Sequence, residues 1–431
     1  MKQLCTHSVV VGFALFAMFF GAGNIIFPPY VGLASGPEWL TGFFCYYMAD
    51  VGLALVAIYA MLRTQNMDRV EGILVRLGNV PAKVMMGAVV ICIGPLLAMP
   101  RTGATTFSMV FAPLVGGETL WASLLFSCVF FGLALAFSYR ESALVDLVGK
   151  YLTPLLVLGL LLLIVMGVLS PIGPVADASL MDNVAWMGIS AGYQTLDVLA
   201  ALVFGLLVVN AMKSRGYHSS GQKFMSVGLA SLIAGVLLLV IYGGLCYLGA
   251  TVSTMYPEDV DKGRLVMEIA THIFGPVGSA ILGVVIGLAC LTTAIALSGS
   301  VGTFFSTLTN GRWSYKVMTL TACVFSAIVS NFGLNNIIAL AAPILTVIYP
   351  GVLAVIVLSM FDAQIENDNV FRFAAAGAMA VSFCEVMGWY WPETFAFIKN
   401  LPFQGPGFGW VVPATACGIV GMFIKSPARG R

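Results

Sequence analysis

Residues 8–32 read SVVVGFALFAMFFGAGNIIFPPYVG. The stretch is apolar enough to cross a bilayer core, which takes about 20 such residues. Gly21-Ala22-Gly23-Asn24 interrupts it. Two Gly and an Asn weaken a helix, and broken backbone survives in lipid only where it is buried or lines a cavity. Free amides at the start of the second half can hold a carboxylate. Free carbonyls at the end of the first half can hold a cation. Close helix packing on small residues is the other use such glycines serve.

The rest of the chain has the same character. Of its 431 residues, 60% are hydrophobic and 9% charged, where a soluble domain carries about a quarter charged residues. Such a chain cannot cover its own surface in water, so its solvent is lipid. A net charge of +1 gives no bias toward nucleic acid or other polyanions, and none is expected as a partner. Nine Cys are scattered without a CxxC pair, and His7, His218 and His272 are too dispersed for a metal site. No cleavable signal peptide is evident, because the first apolar run is far longer than a signal core.

Apolar stretches bounded by polar breaks fall near 8–34, 39–62, 82–114, 119–138, 146–169, 189–212, 224–252, 276–307, 316–333, 336–361, 371–390 and 408–425. About twelve spanning helices are therefore expected. Pro343 and Pro350 interrupt the tenth stretch, which is either one kinked helix or two short ones. Residues 67–77 and 264–274 mix charge and aliphatics at helical spacing, as surface-lying helices do. With the N-terminus inside, sixteen of the twenty Lys and Arg fall on the inner side and three on the outer, with Arg101 inside the third span. Both termini are thus expected in the cytoplasm.

The sixth stretch, LDVLAALVFGLLVVNAMK (196–213), carries a second Phe-Gly pair. Phe20-Gly21 and Phe204-Gly205 stand about 184 positions apart, and that shift carries spans one to five onto spans six to ten. Five spans is an odd number, so the second copy must run the opposite way: an inverted repeat, as secondary transporters use. The expected organisation is one transmembrane domain over 1–431. It holds a first repeat at 8–169, a second at 189–361 and two extra helices at 371–425.

FALFAMFFGAGNIIFPPYVG (13–32) strongly resembles the opening of the bacterial branched-chain amino acid:cation symporters. So do IGPLLAMPRTGATT (93–106), LDVLAALVFGLLVVNA (196–211) and LACLTTAIAL (288–297). The resemblance implies an all-α polytopic membrane protein with the LeuT-like five-plus-five fold. It implies a multi-pass carrier in the bacterial cytoplasmic membrane that imports L-leucine, L-isoleucine and L-valine with sodium as the coupling ion and no organic cofactor. It further implies that a sodium ion is held by the carbonyls of Ala17, Phe20 and Ala289 and the hydroxyls of Thr292 and Thr293. Thr hydroxyls in a membrane helix also bond back to carbonyls of the preceding turn. The substrate carboxylate would meet the amides of Ala22 and Gly23 in the Gly21–Asn24 break. Its ammonium would meet carbonyls around Ala200, Ala201 and Val203, with Phe204 and the aliphatic face of the third span forming an apolar pocket. Phe27 stands near where some sodium-coupled relatives carry a gating Arg, and Asn24 is a candidate for a second ion site.

Four charges lie within or near spans, where a charge is costly and functional by default: Asp50, Arg101, Asp197 and Glu385. Asp197 attracts a substrate ammonium or a cation, or caps a half-helix. Asp50 serves packing or proton transfer. Arg101 is expected near the outer end of the third span, reaching to the interface, and Glu385 is expected to be structural. Proton coupling, or another small neutral amino acid, is the alternative within the same fold. A membrane enzyme would need clustered intramembrane acid–base groups, which the sequence does not offer. A non-transporting sensor subunit would have no use for broken helices.

Overall fold

The structure, a computed structural model, describes residues 2–64, 69, 71–117, 119–139, 147–404 and 407–424. Its elements are helical throughout, with no strand among the described residues. Among the described residues, nine helices are long and apolar enough to cross a membrane, and three shorter apolar helices accompany them at Leu4–Phe19, Pro343–Ser359 and Val411–Phe423.

The chain forms two compact units, Met1–Leu55 with Ile93–Ile337, and Val56–Cys92 with Ile338–Arg431. In the first unit, α1 (Lys2–Phe19) and α2 (Ala22–Ser35) are the halves of the first span. Next, α3 (Trp39–Tyr47) runs through a π-helical turn, Met48–Gly52, into α4 (Leu53–Arg63). The third stretch contains α5 (Asn79–Ile91) and α6 (Ala98–Thr106), with irregular backbone between them. Then come α7 (Leu120–Ser138), α8 (Thr153–Leu169), α9 (Val184–Tyr193), α10 (Asp197–Ser214), α11 (Ser220–Ala250), α12 (Lys262–Phe274), α13 (Pro276–Leu308) and α14 (Tyr315–Val329). The tenth stretch is one helix, α15 (Leu334–Ser359), with both prolines inside it. It is followed by α16 (Asp368–Tyr390) and α17 (Val411–Phe423).

The first unit is built around α1, α10 and α13, which pack on one another. Of the best apolar window in α10, 78% is buried inside the protein, against 22% for α7. The first is a core helix and the second faces lipid. The orientation of α2 is fixed by its crossing with α11. A Cβ on Gly32 would lie 1.8 Å from the Cys246 carbonyl oxygen, and one on Gly249 would lie 1.9 Å from that of Pro29. No side chain fits at either point, so the two backbones touch directly.

The segment at 264–274 forms a helix as its spacing suggests, within α12. Its apolar residues Leu265, Val266, Ile269 and Ala270 are buried, and the helix packs on α2 and α13. Protein, not lipid, covers that face. Of the 67–77 segment, Gly72–Leu77 is a short 3-10 helix with Ile73, Leu74 and Leu77 buried. Residues 67, 68 and 70 lie outside the described residues.

The second unit is closed by Arg76, which is 2% exposed. Its Nε lies 3.0 Å from Asp362 and its Nη1 2.6 Å from Asp368. Its Nη2 donates to the Ile365 carbonyl, and the guanidinium lies 4.2 Å from the Phe371 ring centroid. A buried cation with carboxylate, carbonyl and ring partners holds loops in place. In the same unit Glu385 is half-buried on α16.

Substituting Gly249→Val is expected to force α2 and α11 apart, at a cost of about 1–3 kcal/mol or more. Gly228→Val on the same helix, where a Cβ meets nothing within 4 Å, is expected to be neutral. Thermal-shift and gel-filtration measurements on the two detergent-extracted variants check the pair. Equal behaviour would refute the tight crossing.

Candidate functional site

Three helix breaks surround one cavity. The first is where the glycines put it. Gly21 is extended (φ −104°, ψ −162°), and no side chain caps α2, so the Ala22 and Gly23 amides open its first turn. The second lies between α9 and α10, where Leu196 takes a left-handed conformation (φ 75°). That is uncommon and strained for a residue with a branched side chain. The third lies in the third span. Gly94 (φ −81°, ψ −118°) and Leu97 (φ −129°, ψ −67°) leave helical geometry around Pro95, which cannot donate to the helix ladder.

The second break corrects the expected position. Residues 200–203 and the Phe204-Gly205 pair sit inside continuous α10. Their carbonyls belong to the helix, because a single buried Gly costs only about 1 kcal/mol and tight packing offsets it. The irregular backbone is Gln194–Leu196. The two breaks therefore stand 175 positions apart (196 less 21), not 184. The third span is not a plain aliphatic wall either, since its own break brings Ile93, Ala98, Arg101 and Thr102 to the cavity.

The cavity encloses about 420 Å³ of empty space, its mouth included. Of the expected substrate residues, Gly21, Ala22, Gly23, Asn24, Ala200 and Phe204 line it. Ala201 and Val203 do not; they are buried on other faces of α10. Met18, Phe19 and Leu297 complete an apolar side, while Thr195, Asp197 and Arg101 supply a polar one.

Asn24 is the hub of the polar side. Its Nδ2 donates to Asp197 Oδ2 (2.7 Å), to Asp50 Oδ2 (3.4 Å) and to the Tyr242 hydroxyl. An amide carries two N–H bonds, so three acceptors share two donors. Asp50 stands on the π-helical turn after α3, fully buried, and Asp197 opens α10 with 5% exposure. The Thr195 hydroxyl lies 2.7 Å from Asp50 Oδ1 and 2.6 Å from the Gly192 carbonyl oxygen. Tyr242 in turn packs on Phe20 and edge-on to Tyr46. Two acids from spans two and six are thus tied to the first break by one side chain.

At the edge of the cavity, which Thr293 lines, the two threonines of α13 meet the end of α1. Thr292 Oγ1 lies 2.9 Å from the Ala289 carbonyl oxygen and 3.2 Å from that of Ala17. Thr293 Oγ1 lies 3.3 Å from the Ala17 oxygen and 3.2 Å from that of Met18. Ala17, Ala289, Thr292 and Thr293 are brought together, and Met18 joins them unforeseen. Phe20 stacks on Phe16 at 5.4 Å between ring centroids. Each hydroxyl has one proton and faces two carbonyls, so lone pairs outnumber donors here.

Arg101 overturns its expected place at the interface. It is 9% exposed and lines the cavity. Its Nη1 donates to the Gln194 carbonyl (3.2 Å), and its guanidinium lies 5.7 Å from the Phe27 ring centroid. The Lys262 ammonium lies 5.7 Å from the same ring and 4.5 Å from that of Tyr30. Burial pushes that ammonium below its ordinary range; Asp261 opposes the shift and Arg101 adds to it.

Broken helices around a shared cavity are transporter architecture. A family model described as "Branched-chain amino acid transport protein" matches residues 5–428. The chain belongs to this family. The branched-chain amino acid permease BraB of Bacillus subtilis is 35% identical to this transporter over 97% of the chain and 95% of its own length. The branched-chain amino acid transport system 3 carrier protein of Pseudomonas aeruginosa is 34% identical over 98% and 97%. A Na+-coupled sialic acid symporter, solved substrate-bound and outward-open, superimposes with a TM-score of 0.64 at 13% identity, covering 98% of this chain and 91% of its own. At that identity the likeness speaks for the fold alone, which is LeuT-like. The transporter is a multi-pass membrane protein of a bacterial family, and not an enzyme.

Asn24→Leu keeps the number and branching of the side-chain heavy atoms and removes the shared donor. It is expected to destabilise the transporter by about 1–3 kcal/mol or more, because the two buried acids then lose their shared donor. A thermal midpoint equal to wild type in detergent would show that Asn24 does not hold Asp50 and Asp197.

Proposed function

We propose that this transporter is a sodium-coupled symporter that imports L-leucine, L-isoleucine and L-valine across the bacterial cytoplasmic membrane, with both termini in the cytoplasm. The substrate lies in the cavity between the three breaks. Its carboxylate meets the Ala22 and Gly23 amides at the positive end of α2. Its ammonium meets Asp197 and the irregular backbone at Gln194–Leu196. Its side chain rests against Phe19, Phe204 and Leu297. An aliphatic wall separates leucine, isoleucine and valine poorly, since one methylene is worth about 1–3 kcal/mol.

The observation that carries the sodium assignment is the cluster of Ala17, Met18 and Ala289 carbonyls around the Thr292 and Thr293 hydroxyls. Neutral hard oxygens from two helices suit a small hard cation. The ion draws α1 and α13 together, which favours the conformation that admits substrate. Repeats at 8–169 and 189–361, each opening with a broken helix, then exchange access to the two sides of the membrane.

One observation favours a second reading, proton coupling. Asp50 and Asp197 share the Asn24 amide deep in the protein, and a buried carboxylate pair is a place where a proton can be carried.

Leucine uptake into proteoliposomes separates the readings. An inward sodium gradient is expected to drive uptake in wild type. The double variant Thr292→Ala/Thr293→Ala is expected to lose it by at least about 10-fold, in line with the loss of charge-assisted ligation. Uptake under a proton gradient alone, without sodium, would replace the sodium assignment with the second reading. No leucine uptake under either gradient would remove the substrate assignment.

A further inference from the structure

We propose that Arg101 is the carboxylate-recognition residue of this transporter, gripping the substrate's two carboxylate oxygens against the start of α2. The proposal rests on the reading of the cavity as the amino acid site, and goes beyond it by assigning a specificity-determining side chain.

Arg101 has donors to spare. Its Nη1 is engaged with the Gln194 carbonyl. Its Nε and Nη2 are buried without a hydrogen-bond partner. An unsatisfied charged donor is among the costliest things to bury. Nε–H and one N–H of Nη2 point the same way, along one edge of the guanidinium, at the spacing of two carboxylate oxygens. The idle edge is therefore a bidentate carboxylate receptor.

The guanidinium also stands where another positive charge already is. A Cβ placed on Gly23 would lie 3.1 Å from Nη2 and 3.6 Å from Cζ. Gly23 belongs to the first turn of α2, whose amides carry the positive end of the helix dipole. A guanidinium beside a helix N-terminus repels it unless an anion lies between them. Lys262 adds a third positive group near Phe27.

The protein's own acids do not fill that role. Asp197 is bonded to Asn24, and Asp50 to Asn24 and Thr195. Among the described residues no ion pair joins either of them to Arg101. Arg101 and Asp197 thus line one cavity and feel each other's charge, but no direct ion pair takes up the free guanidinium edge. An α-amino acid, with both charges on one carbon, completes both ends at once.

The test uses the full chain in nanodiscs with saturating sodium. It compares leucine with leucinamide, which keeps the ammonium and the side chain but lacks the carboxylate. Wild type is expected to bind leucine at least about 100-fold more tightly than leucinamide, the scale of a buried charge pair losing one partner. In Arg101→Gln that preference is expected to collapse to within about fivefold, because the cationic side chain that sets a carboxylate apart from an amide is then gone. Arg101→Lys keeps the charge without the planar fork and is expected to bind leucine about 10-fold more weakly while still preferring it. It carries the test should the Gln variant fail to fold. A Gln variant that keeps the wild-type preference, or a Lys variant with wild-type affinity, would overturn the assignment. If wild type binds neither ligand, the amino acid site itself falls, and this assignment falls with it.

Discussion

A peptide group in lipid has nothing to bond to but its own protein. Every departure from helical backbone must therefore be answered from inside. Three departures, at Gly21, around Gly94–Leu97 and at Gln194–Leu196, face one space. Their groups answer one another. The Gln194 carbonyl accepts a hydrogen bond from Arg101, which stands just after the third-span break. The Ala17 and Met18 carbonyls, just before the first break, face the α13 threonines. The site is what remains of three interrupted helices once most of their freed groups have found partners.

What remains unsatisfied is as informative as what is paired. Two arginines are deeply buried. Arg76 is saturated by Asp362, Asp368, the Ile365 carbonyl and the Phe371 ring. Arg101 has one carbonyl and a distant ring, with an idle edge toward the cavity. Residue type, burial and charge are alike, so the partners alone separate a structural clamp from a receptor. The acids differ in the same way from an ordinary buried pair. Asp50 and Asp197 are held by an amide, not by a cation. The shared donor makes the cluster respond as a unit.

Most of the fold was legible because hydropathy is a one-dimensional property. The apolar stretches become helices nearly where composition puts them, and the first break falls on the glycines that announce it. Hydropathy does not say which way a side chain points. Arg101 lies near the end of an apolar run by position, and so resembles an interfacial residue, but the break at Gly94–Leu97 turns it inward. Gly94-Pro95 in mid-span was the available signal. The break in the sixth span was misplaced because Phe204-Gly205 imitates Phe20-Gly21. The true break carries Gln194, Thr195 and Asp197, polar groups that cap and bond locally. Thr292 and Thr293 alone could not be told from back-bonded threonines. Thr292 in fact faces both its own helix and α1.

The first break also links the two ligands physically. Of its glycines, Gly21 faces Thr293, with a hypothetical Cβ 3.1 Å from Oγ1, and Gly23 faces Arg101 at 3.1 Å from Nη2. Between them, Ala22 and Gly23 offer amides to the cavity, and Asn24 fastens the acids. One short run of backbone thus touches the proposed ion ligands at one end and the proposed carboxylate ligand at the other. A cation that draws the end of α1 toward α13 must shift the amides of α2, because only Phe20 and Gly21 separate them. Coupling needs two sites whose occupancies bias one movable element. Here that element is three residues long, with no side chain at Gly21 or Gly23 to hold it in place otherwise.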